Sequence, residues 1–244
     1  MLSARSQSSA LVLLGLFSPL LQASKLTIYT EEYPPYNMME PTTETVTGVS
    51  TDIVRELMHR ARQDHDILLV PWQRAVSLAQ AQPDSCVYSM SRTEPREPLY
   101  KWIGPLVQNE WVLFGRVEDD LKLKKLEDAA RYRIGSYQGD AIVQYLQERG
   151  FLVDVAINDR LNPAKLAARR IDLWGTGRLI GQYILRQEKM IGIQPVLTFN
   201  RTEMYLACNK AMQEKRVEQF NTLLHAMEKD GTINQIYSQY GYQR

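Results

Sequence analysis

The chain has 244 residues, with 29 basic and 28 acidic side chains that give a formal net charge of +1. This balance lacks the basic footprint of a nucleic-acid-binding protein, so no nucleic-acid partner is expected. The sequence contains two cysteines, which excludes a small scaffold stapled by several disulfides. It has no CxxC pair and no histidine–carboxylate cluster at metal-ligand spacing, and we expect neither a metal nor another cofactor.

Residues 1–23 are typical of a secretory signal peptide. Arg5 gives a positive start, residues 10–21 are mostly apolar, and Ala23 is a small residue at the cleavage site. An uncleaved anchor is the alternative, because Leu21 stands where a smaller residue is usual, but the apolar core is short for a membrane span. Cleavage removes Arg5 and no acidic residue, so the formal net charge of the mature chain is zero. We therefore expect an exported protein of about 220 residues, enough for one large core or two modest ones.

After the signal peptide the sequence alternates between strand and helix patterns. The first predicted elements are a strand at 25–29, a helix from about 51 to 62, a strand at 66–71, a helix at about 73–82 and a strand at 86–88. Such alternation predicts a parallel α/β sheet. The cysteines, Cys86 and Cys208, each lie in an apolar run, and a long-range disulfide or two buried free thiols would both fit.

A second cycle follows a packed, irregular segment at 99–105. Its predicted strands are 111–115, 133–136, 153–156, 171–174 and 204–208, and its predicted helices are 139–148, 163–169, 179–186, 214–229 and 232–240. Strands at both junctions, near 107–113 and 202–208, indicate two crossings between two lobes. We expect lobe 1 to comprise 24–107 plus 207–244 and lobe 2 to comprise 108–206, with a cleft between them.

Residues 89–96 have the composition of a receptor for a carboxylate. Ser89 and Ser91 are two residues apart and would share one side of an extended backbone. Pro95 favours a turn that brings Arg96 back toward the two hydroxyls. A guanidinium donates two parallel hydrogen bonds to a carboxylate, and fixed hydroxyls add further donors. The alternative is that Arg96 pairs with a nearby glutamate of the same loop.

Two aromatic residues are placed to form a wall of the same site. Tyr33 lies in a loop stiffened by two prolines, and Trp72 follows the second strand. Because ligands bind at the carboxyl ends of parallel strands, both are expected at the edge that carries Arg96. Packing of Tyr33 on a neighbouring helix is the alternative.

The ordered set of motifs resembles the bacterial periplasmic solute-binding proteins that bind polar amino acids. The matching residues are 29–36, 48–52, Trp72, 89–96, 137–139, 170–172 and 229–231, which extend over essentially the whole mature chain. The resemblance implies a two-lobed α/β flytrap fold in which each lobe is a mostly parallel sheet flanked by helices, with two hinge crossings. It also implies a monomeric binding protein rather than an enzyme.

The resemblance implies roles for five residues of lobe 1. Tyr33 and Trp72 would sandwich the ligand, Ser89 and Ser91 would donate to it, and Arg96 would hold its α-carboxylate.

Lobe 2 departs from the family pattern. The pair Asp140–Ala141 replaces a common Ser–Thr, and Gly177 stands where the family places an aspartate for the α-ammonium group. Asp140 would either cap a helix or hold the ligand's amine. Trp174 would either stack on the ligand or pack in the core.

The favoured function is a receptor that captures a small carboxylate-bearing solute, an amino acid or related compound, and delivers it to an ABC importer of the inner membrane. A periplasmic sensor or an interaction protein is an alternative, and a dehydratase-type enzyme on the same scaffold is another. Catalysis would require a positioned acid or base in the cleft. Asp140 and Glu203 are the attractive candidates, and neither has an evident partner in the sequence.

Overall fold

The computed structural model describes residues 25–241, so the predicted signal peptide lies outside the described residues. The strands are β1 Leu26–Thr30, β2 Met38–Glu40, β3 Thr45–Thr47, β4 His65–Leu69, β5 Ser85–Ser91, β6 Lys101–Arg116, β7 Ile134–Tyr137, β8 Val153–Ala156, β9 Leu173–Gly177 and β10 Ile193–Cys208. The helices are α1 Val49–Ala61, α2 Trp72–Ala81, α3 Ala141–Gln147, α4 Asn162–Ala167, α5 Arg178–Gln187, α6 Glu214–Lys229 and α7 Thr232–Gln239.

Eight strands form one sheet in the order β4-β1-β5-β10-β6-β9-β7-β8, and β2 and β3 form a separate hairpin. β1 is parallel to β4 and β5 at one end, and β7 is parallel to β8 and β9 at the other. We call the first group lobe 1, with α1, α2, α6 and α7, and the second group lobe 2, with α3, α4 and α5. The predicted two-lobed α/β fold, with mostly parallel strands flanked by helices, is confirmed.

The two lobes are joined by β6 and β10, each of 16 residues. These strands pair antiparallel from Lys101 opposite Cys208 to Arg116 opposite Ile193. The prediction of an irregular segment at 99–105 is therefore wrong from Lys101 onward. Glycine and proline at 104–105 weaken a strand pattern, but a Cβ on Gly104 would lie 2.4 Å from the ring of Tyr205. The glycine thus permits close packing inside a strand. The predicted lobe boundaries fall within β6 and β10.

The sheet is covered on both faces by apolar helix surfaces. On α1, Ile53, Val54, Leu57 and Met58 recur at helical spacing and are fully buried, as the sequence periodicity predicts. Helix α2 packs against the opposite face through its buried alanines. These layers hold the strand ends in fixed positions, and the cleft residues follow those ends.

Cys86 and Cys208 form a disulfide between β5 and β10, where they lie directly opposite each other. Of the two sequence alternatives, the structure shows the cross-link. Within residues 25–241, no helix combines the length and apolar character needed to cross a membrane. In the same range, no group of three or more histidine, cysteine or acidic side chains is arranged to hold a metal ion.

Candidate functional site

The cleft between the lobes contains a small polar cavity, which we call the inner cavity. Lobe 1 contributes the loop after β1, the start of α2, the end of β5 and the turn that follows it. Lobe 2 contributes the end of β7 and the start of α3. The inner cavity measures about 20 Å³ and is lined by Glu31, Tyr33, Trp72, Ser89, Ser91, Arg96, Asn109, Tyr137, Asp140, Ala141 and Met204. Six of the seven residues predicted for the site are therefore brought together.

Arg96 places a cation in the inner cavity that no described carboxylate neutralises by an ion pair. Its guanidinium donates to the carbonyl oxygens of Ser91 at 3.2 Å and Gly139 at 2.8 Å. Burial lowers the pKa of Arg96 from its usual value. The local ion pair considered for this loop is made by Arg92 instead, which donates two hydrogen bonds of 2.6 Å to the carboxylate of Glu97. Arg96 is thus held at the inner cavity by hydrogen bonds to backbone carbonyls.

Tyr33 and Trp72 both line the inner cavity. The ring of Tyr33 stacks on that of Tyr36, with centroids 5.8 Å apart, and its hydroxyl accepts from the side chain of Asn109 at 3.3 Å. The indole N–H of Trp72 donates to the carbonyl of Gly139 at 3.0 Å. The carbonyl of Gly139 therefore receives hydrogen bonds from Trp72 and Arg96, and both cross from lobe 1 to lobe 2.

Ser89 and Ser91 line the inner cavity, but they do not reach it by simple strand alternation. Ser89 has a φ of +59°, and the pairing register shifts at this point between β5 and β10. The hydroxyl of Ser89 donates to the side-chain carbonyl of Asn37. Ser91 is buried, with its Oγ 3.4 Å from the hydroxyl of Thr202. Ser91 is therefore the freer donor of the pair.

Asp140 caps a helix and also lies at the inner cavity. Its Oδ1 accepts from the backbone N–H of Ile142 at 3.0 Å, which caps α3, and its side chain also lines the inner cavity. Burial raises the pKa of Asp140 to about 7, and the nearby Asp159 adds to the rise. Its carboxyl group can thus be either protonated or ionised near neutral pH.

Glu31 is an acidic cleft residue that was not predicted from the sequence, and Asn109, Tyr137, Ala141 and Met204 also line the inner cavity without having been predicted. The hydroxyl of Tyr137 donates to Oε1 of Glu31 at 2.9 Å, which joins lobe 2 to lobe 1. Burial raises the pKa of Glu31 to about 8; the hydrogen bond from Tyr137 opposes the rise, and the charges of Asp140 and Asp159 add to it. Its position directly after β1 was the available signal, since that is the strand edge that also presents Tyr33.

Trp174 lies in the core and does not line the inner cavity, so its proposed stacking role is corrected. The side chain is fully buried, and its ring centroid is 5.1 Å from that of Phe114. Its indole N–H donates to Asp159 at 2.8 Å, and the hydroxyl of Thr176 donates to the same carboxylate at 2.6 Å. Burial raises the pKa of Asp159 despite these hydrogen bonds. Trp174 therefore helps to hold Asp159 at the edge of the cleft.

Gly177 has a steric reason to lack a side chain. A Cβ at this position would lie 2.6 Å from the hydroxyl of Tyr33 and 2.7 Å from Oδ1 of Asn109. These two groups occupy the space that an aspartate would need. Glu203, the other candidate acid, accepts from the hydroxyl of Tyr205 at 2.9 Å and does not line the inner cavity.

A larger cavity, which we call the outer cavity, adjoins the inner one toward the mouth of the cleft. It measures about 420 Å³ and shares Glu31, Tyr33, Trp72 and Tyr137 with the inner cavity. Its apolar lining includes Pro34 and Pro71 from lobe 1 and Ile157, Ile180 and Ile184 from lobe 2.

Comparisons with solved structures agree with this fold. The chain resembles a histidine kinase sensor domain described as similar to periplasmic binding proteins, with a TM-score of 0.81, 18% identity, and coverage of 88% of this chain and 95% of that one. It resembles the arginine-, lysine-, histidine-binding protein ArtJ of Geobacillus stearothermophilus, with a TM-score of 0.77, 15% identity, and coverage of 91% and 97%. It also resembles an ancestral amino acid-binding protein described as a precursor of cyclohexadienyl dehydratase, with a TM-score of 0.74, 18% identity, and coverage of 88% and 94%.

These identities are low, and the three likenesses establish the fold alone. No curated protein sequence matches the chain. The sequence profile of one family matches residues 26–243, nearly the whole length. The chain belongs to the bacterial extracellular solute-binding proteins, family 3.

Proposed function

We propose that this protein is a periplasmic receptor that captures a carboxylate-bearing solute, an amino acid or related compound, between its lobes and delivers it to an ABC importer. The observation that carries the proposal is Arg96, a cation in the inner cavity that pairs with no described carboxylate. Arg96 is half-buried and its hydrogen bonds go to backbone carbonyls, and a ligand carboxylate would compensate its charge with two parallel hydrogen bonds.

The second half of the proposed site is acidic. Glu31 and Asp140 line the inner cavity with Arg96, and their oxygen atoms are acceptors for a ligand amine. A ligand that carries both groups would use Arg96 from lobe 1 and Asp140 from lobe 2. Its binding energy would then favour the closed arrangement over the open one, which is the differential that a flytrap mechanism requires.

Export and delivery to an importer remain parts of the proposal. The signal-like residues 1–23 and the long-range disulfide both suit an oxidising compartment. The likeness to a histidine kinase sensor domain supports a sensor as the other partner for the closed form. Co-purification with a permease or with a membrane kinase would separate these two partners.

One observation favours an enzyme as a second candidate. Burial raises the pKa of Glu31 to about 8 and that of Asp140 to about 7, and both acids face one cavity. Acids of such pKa can transfer protons near neutral pH. Turnover of a bound compound, followed by mass spectrometry, would favour this candidate, whereas recovery of the compound unchanged would favour the receptor.

The test of the receptor begins with native mass spectrometry of the purified protein and a thermal-shift screen of amino acids, amines and carboxylates. Replacement of Arg96 by alanine (Arg96→Ala) should weaken binding of the best carboxylate roughly 100-fold or more, because the partner charge is lost in a desolvated site. Isothermal titration calorimetry gives the affinity. Arg92→Ala is the matched control, since Arg92 is in the same loop but pairs with Glu97 outside the inner cavity. Normal binding by Arg96→Ala would remove Arg96 from the site.

A further inference from the structure

The two cavities of the cleft differ in size and in chemistry. The inner cavity, at about 20 Å³, has room for about one water molecule. The outer cavity, at about 420 Å³, falls in the range of small-molecule binding pockets. With the lobes in contact as they are here, the inner cavity has no room for the body of a ligand and admits at most a small terminal group beside Arg96. The body must lie in the outer cavity.

The wall between the cavities fixes the path of such a ligand. Glu31, Tyr33, Trp72 and Tyr137 line both cavities, so a ligand that reaches Arg96 from the mouth passes between them. A ligand amine next to the carboxylate would then lie beside Glu31. The remainder would extend past the two aromatic rings of lobe 1.

Beyond that wall the lining combines five apolar residues with polar ones, among them Gln73, Gln138 and Asn158. Pro34 and Pro71 face the outer cavity from lobe 1, and Ile180 and Ile184 face it from α5 of lobe 2. Ile157 lines the same cavity and is 83% exposed, so its side chain is accessible to a ligand there. Arg160, a cation at this cavity, pairs with Glu188 at 3.3 Å and so does not compete with Arg96 for the carboxylate.

We propose, building on the receptor function above, that the ligand is an amphipathic carboxylate with an aromatic or comparably large apolar body. Its carboxylate binds Arg96 in the inner cavity, and its body fills the outer cavity between the prolines of lobe 1 and the isoleucines of α5. Small polar amino acids leave the outer cavity unfilled and bind more weakly, because they bury little apolar surface there.

The test compares affinities for alanine, leucine, phenylalanine and the dipeptide alanyl-phenylalanine by isothermal titration calorimetry on the mature protein. We expect affinity to rise at least tenfold from alanine to the best phenyl-bearing compound. In Ile157→Ser that gain should fall by a factor of about three or more, since one apolar wall is lost. Ile191→Ser is the matched control, because Ile191 is 92% exposed and lines neither cavity.

The results separate this inference from the receptor function. If alanine binds as tightly as the phenyl-bearing compounds, or if Ile157→Ser behaves as Ile191→Ser does, the apolar-body inference is overturned while Arg96-dependent binding stands. If none of the four compounds binds, the inference is also overturned, and a screen of other carboxylates then decides the receptor function. Ile184→Ala tests the apolar lining of the outer cavity a second time, and circular dichroism checks that this variant folds.

Discussion

Tyr33 and Gly177 are two residues in steric contact across the lobes. The tyrosine hydroxyl occupies the space that a side chain at 177 would need, so the identity of one residue constrains the other. The absence of a side chain at 177 is therefore explained by the packing between the lobes. Glu31, which is in lobe 1, supplies an acidic group to the inner cavity.

The first prediction concerns this pair. Gly177→Ala should impair the contact between the lobes and lower the free energy of unfolding by about 1–3 kcal/mol, because its Cβ would overlap the Tyr33 hydroxyl and the side chain of Asn109. Urea denaturation and small-angle X-ray scattering measure the two effects. Adding Tyr33→Phe should restore part of both, since one of the overlapping atoms is removed. A Gly177→Ala protein as stable and compact as the wild type would contradict this packing.

At the scale of single elements, α3 links local stability to the site. Its N-terminal cap is Asp140, whose carboxylate accepts from the N–H of Ile142 and also lines the inner cavity. The two roles are separable, because asparagine keeps the cap acceptor but cannot carry the charge.

The second prediction uses that difference. Asp140→Ala should cost about 1 kcal/mol of stability, while Asp140→Asn should cost little. Asp140→Asn should nevertheless weaken an amine-bearing ligand more than a carboxylate that has no amine. Chemical denaturation and calorimetry check the two parts. Equal losses for both kinds of ligand would leave Asp140 with capping alone.

The sequence predicted the elements whose residue pattern is local. The periodic apolar residues of α1 were sufficient to predict that helix. Helix α6 matches its predicted range of 214–229. The start of β6 was missed because Gly104 and Pro105 disfavour a strand unless a tertiary neighbour, here Tyr205, uses the space. The first half of β10 was missed because it is only partly buried and mixes polar with apolar residues.

The site was predicted where chain position alone determines it. Arg96, Trp72 and Tyr33 follow strand ends, and all three reach the inner cavity. Glu31 was omitted from the predicted site and Trp174 was wrongly included in it. Both errors arose because packing decides which side of a strand end faces the cleft. Trp174 turns into the core to bind Asp159, and Glu31 turns to meet Tyr137 from the other lobe.

In the molecule as a whole, the contact between the lobes depends on whether acidic groups in the cleft are protonated. Burial in the cleft raises the pKa of Glu31 to about 8 from an ordinary 4.5, and that of Asp140 to about 7 from 3.8. The groups that face Glu31 are Tyr137, Asp140 and Asp159 of lobe 2 and Arg96 of lobe 1. Between the ordinary and raised pKa values the closed arrangement binds more protons than an open one, so closure is favoured at low pH and lost as pH rises through about 7–8.

The third prediction follows from this linkage. Small-angle X-ray scattering of the protein without added ligand should show a larger radius of gyration at about pH 9 than at about pH 6. Glu31→Gln should remove most of the change, because the amide stays neutral throughout. Glu32→Gln is the control, since its side chain is exposed beside the same loop. A pH response that is unaltered in Glu31→Gln would assign it to other groups.

The disulfide supports the fourth prediction. Cys86 and Cys208 are 122 residues apart in sequence, so their link restrains a long loop of the unfolded chain. The double variant Cys86→Ala/Cys208→Ala should lose about 2–4 kcal/mol of stability in urea denaturation. Reduction of the wild-type protein should produce a similar loss. A change below about 1 kcal/mol would show that the cross-link does little for stability.

The carbonyl of Gly139 accepts hydrogen bonds from both Arg96 and Trp72, two residues that line the inner cavity. In the receptor proposed above, this carbonyl would compete with a ligand carboxylate for the guanidinium of Arg96. In the proposed receptor, the apparent affinity for a solute would be the intrinsic affinity reduced by the fraction of molecules in which Arg96 is released from this hydrogen bond. Substitutions that weaken only the hydrogen bond between Arg96 and Gly139 would therefore increase the affinity for the solute, although the substituted residues do not contact it.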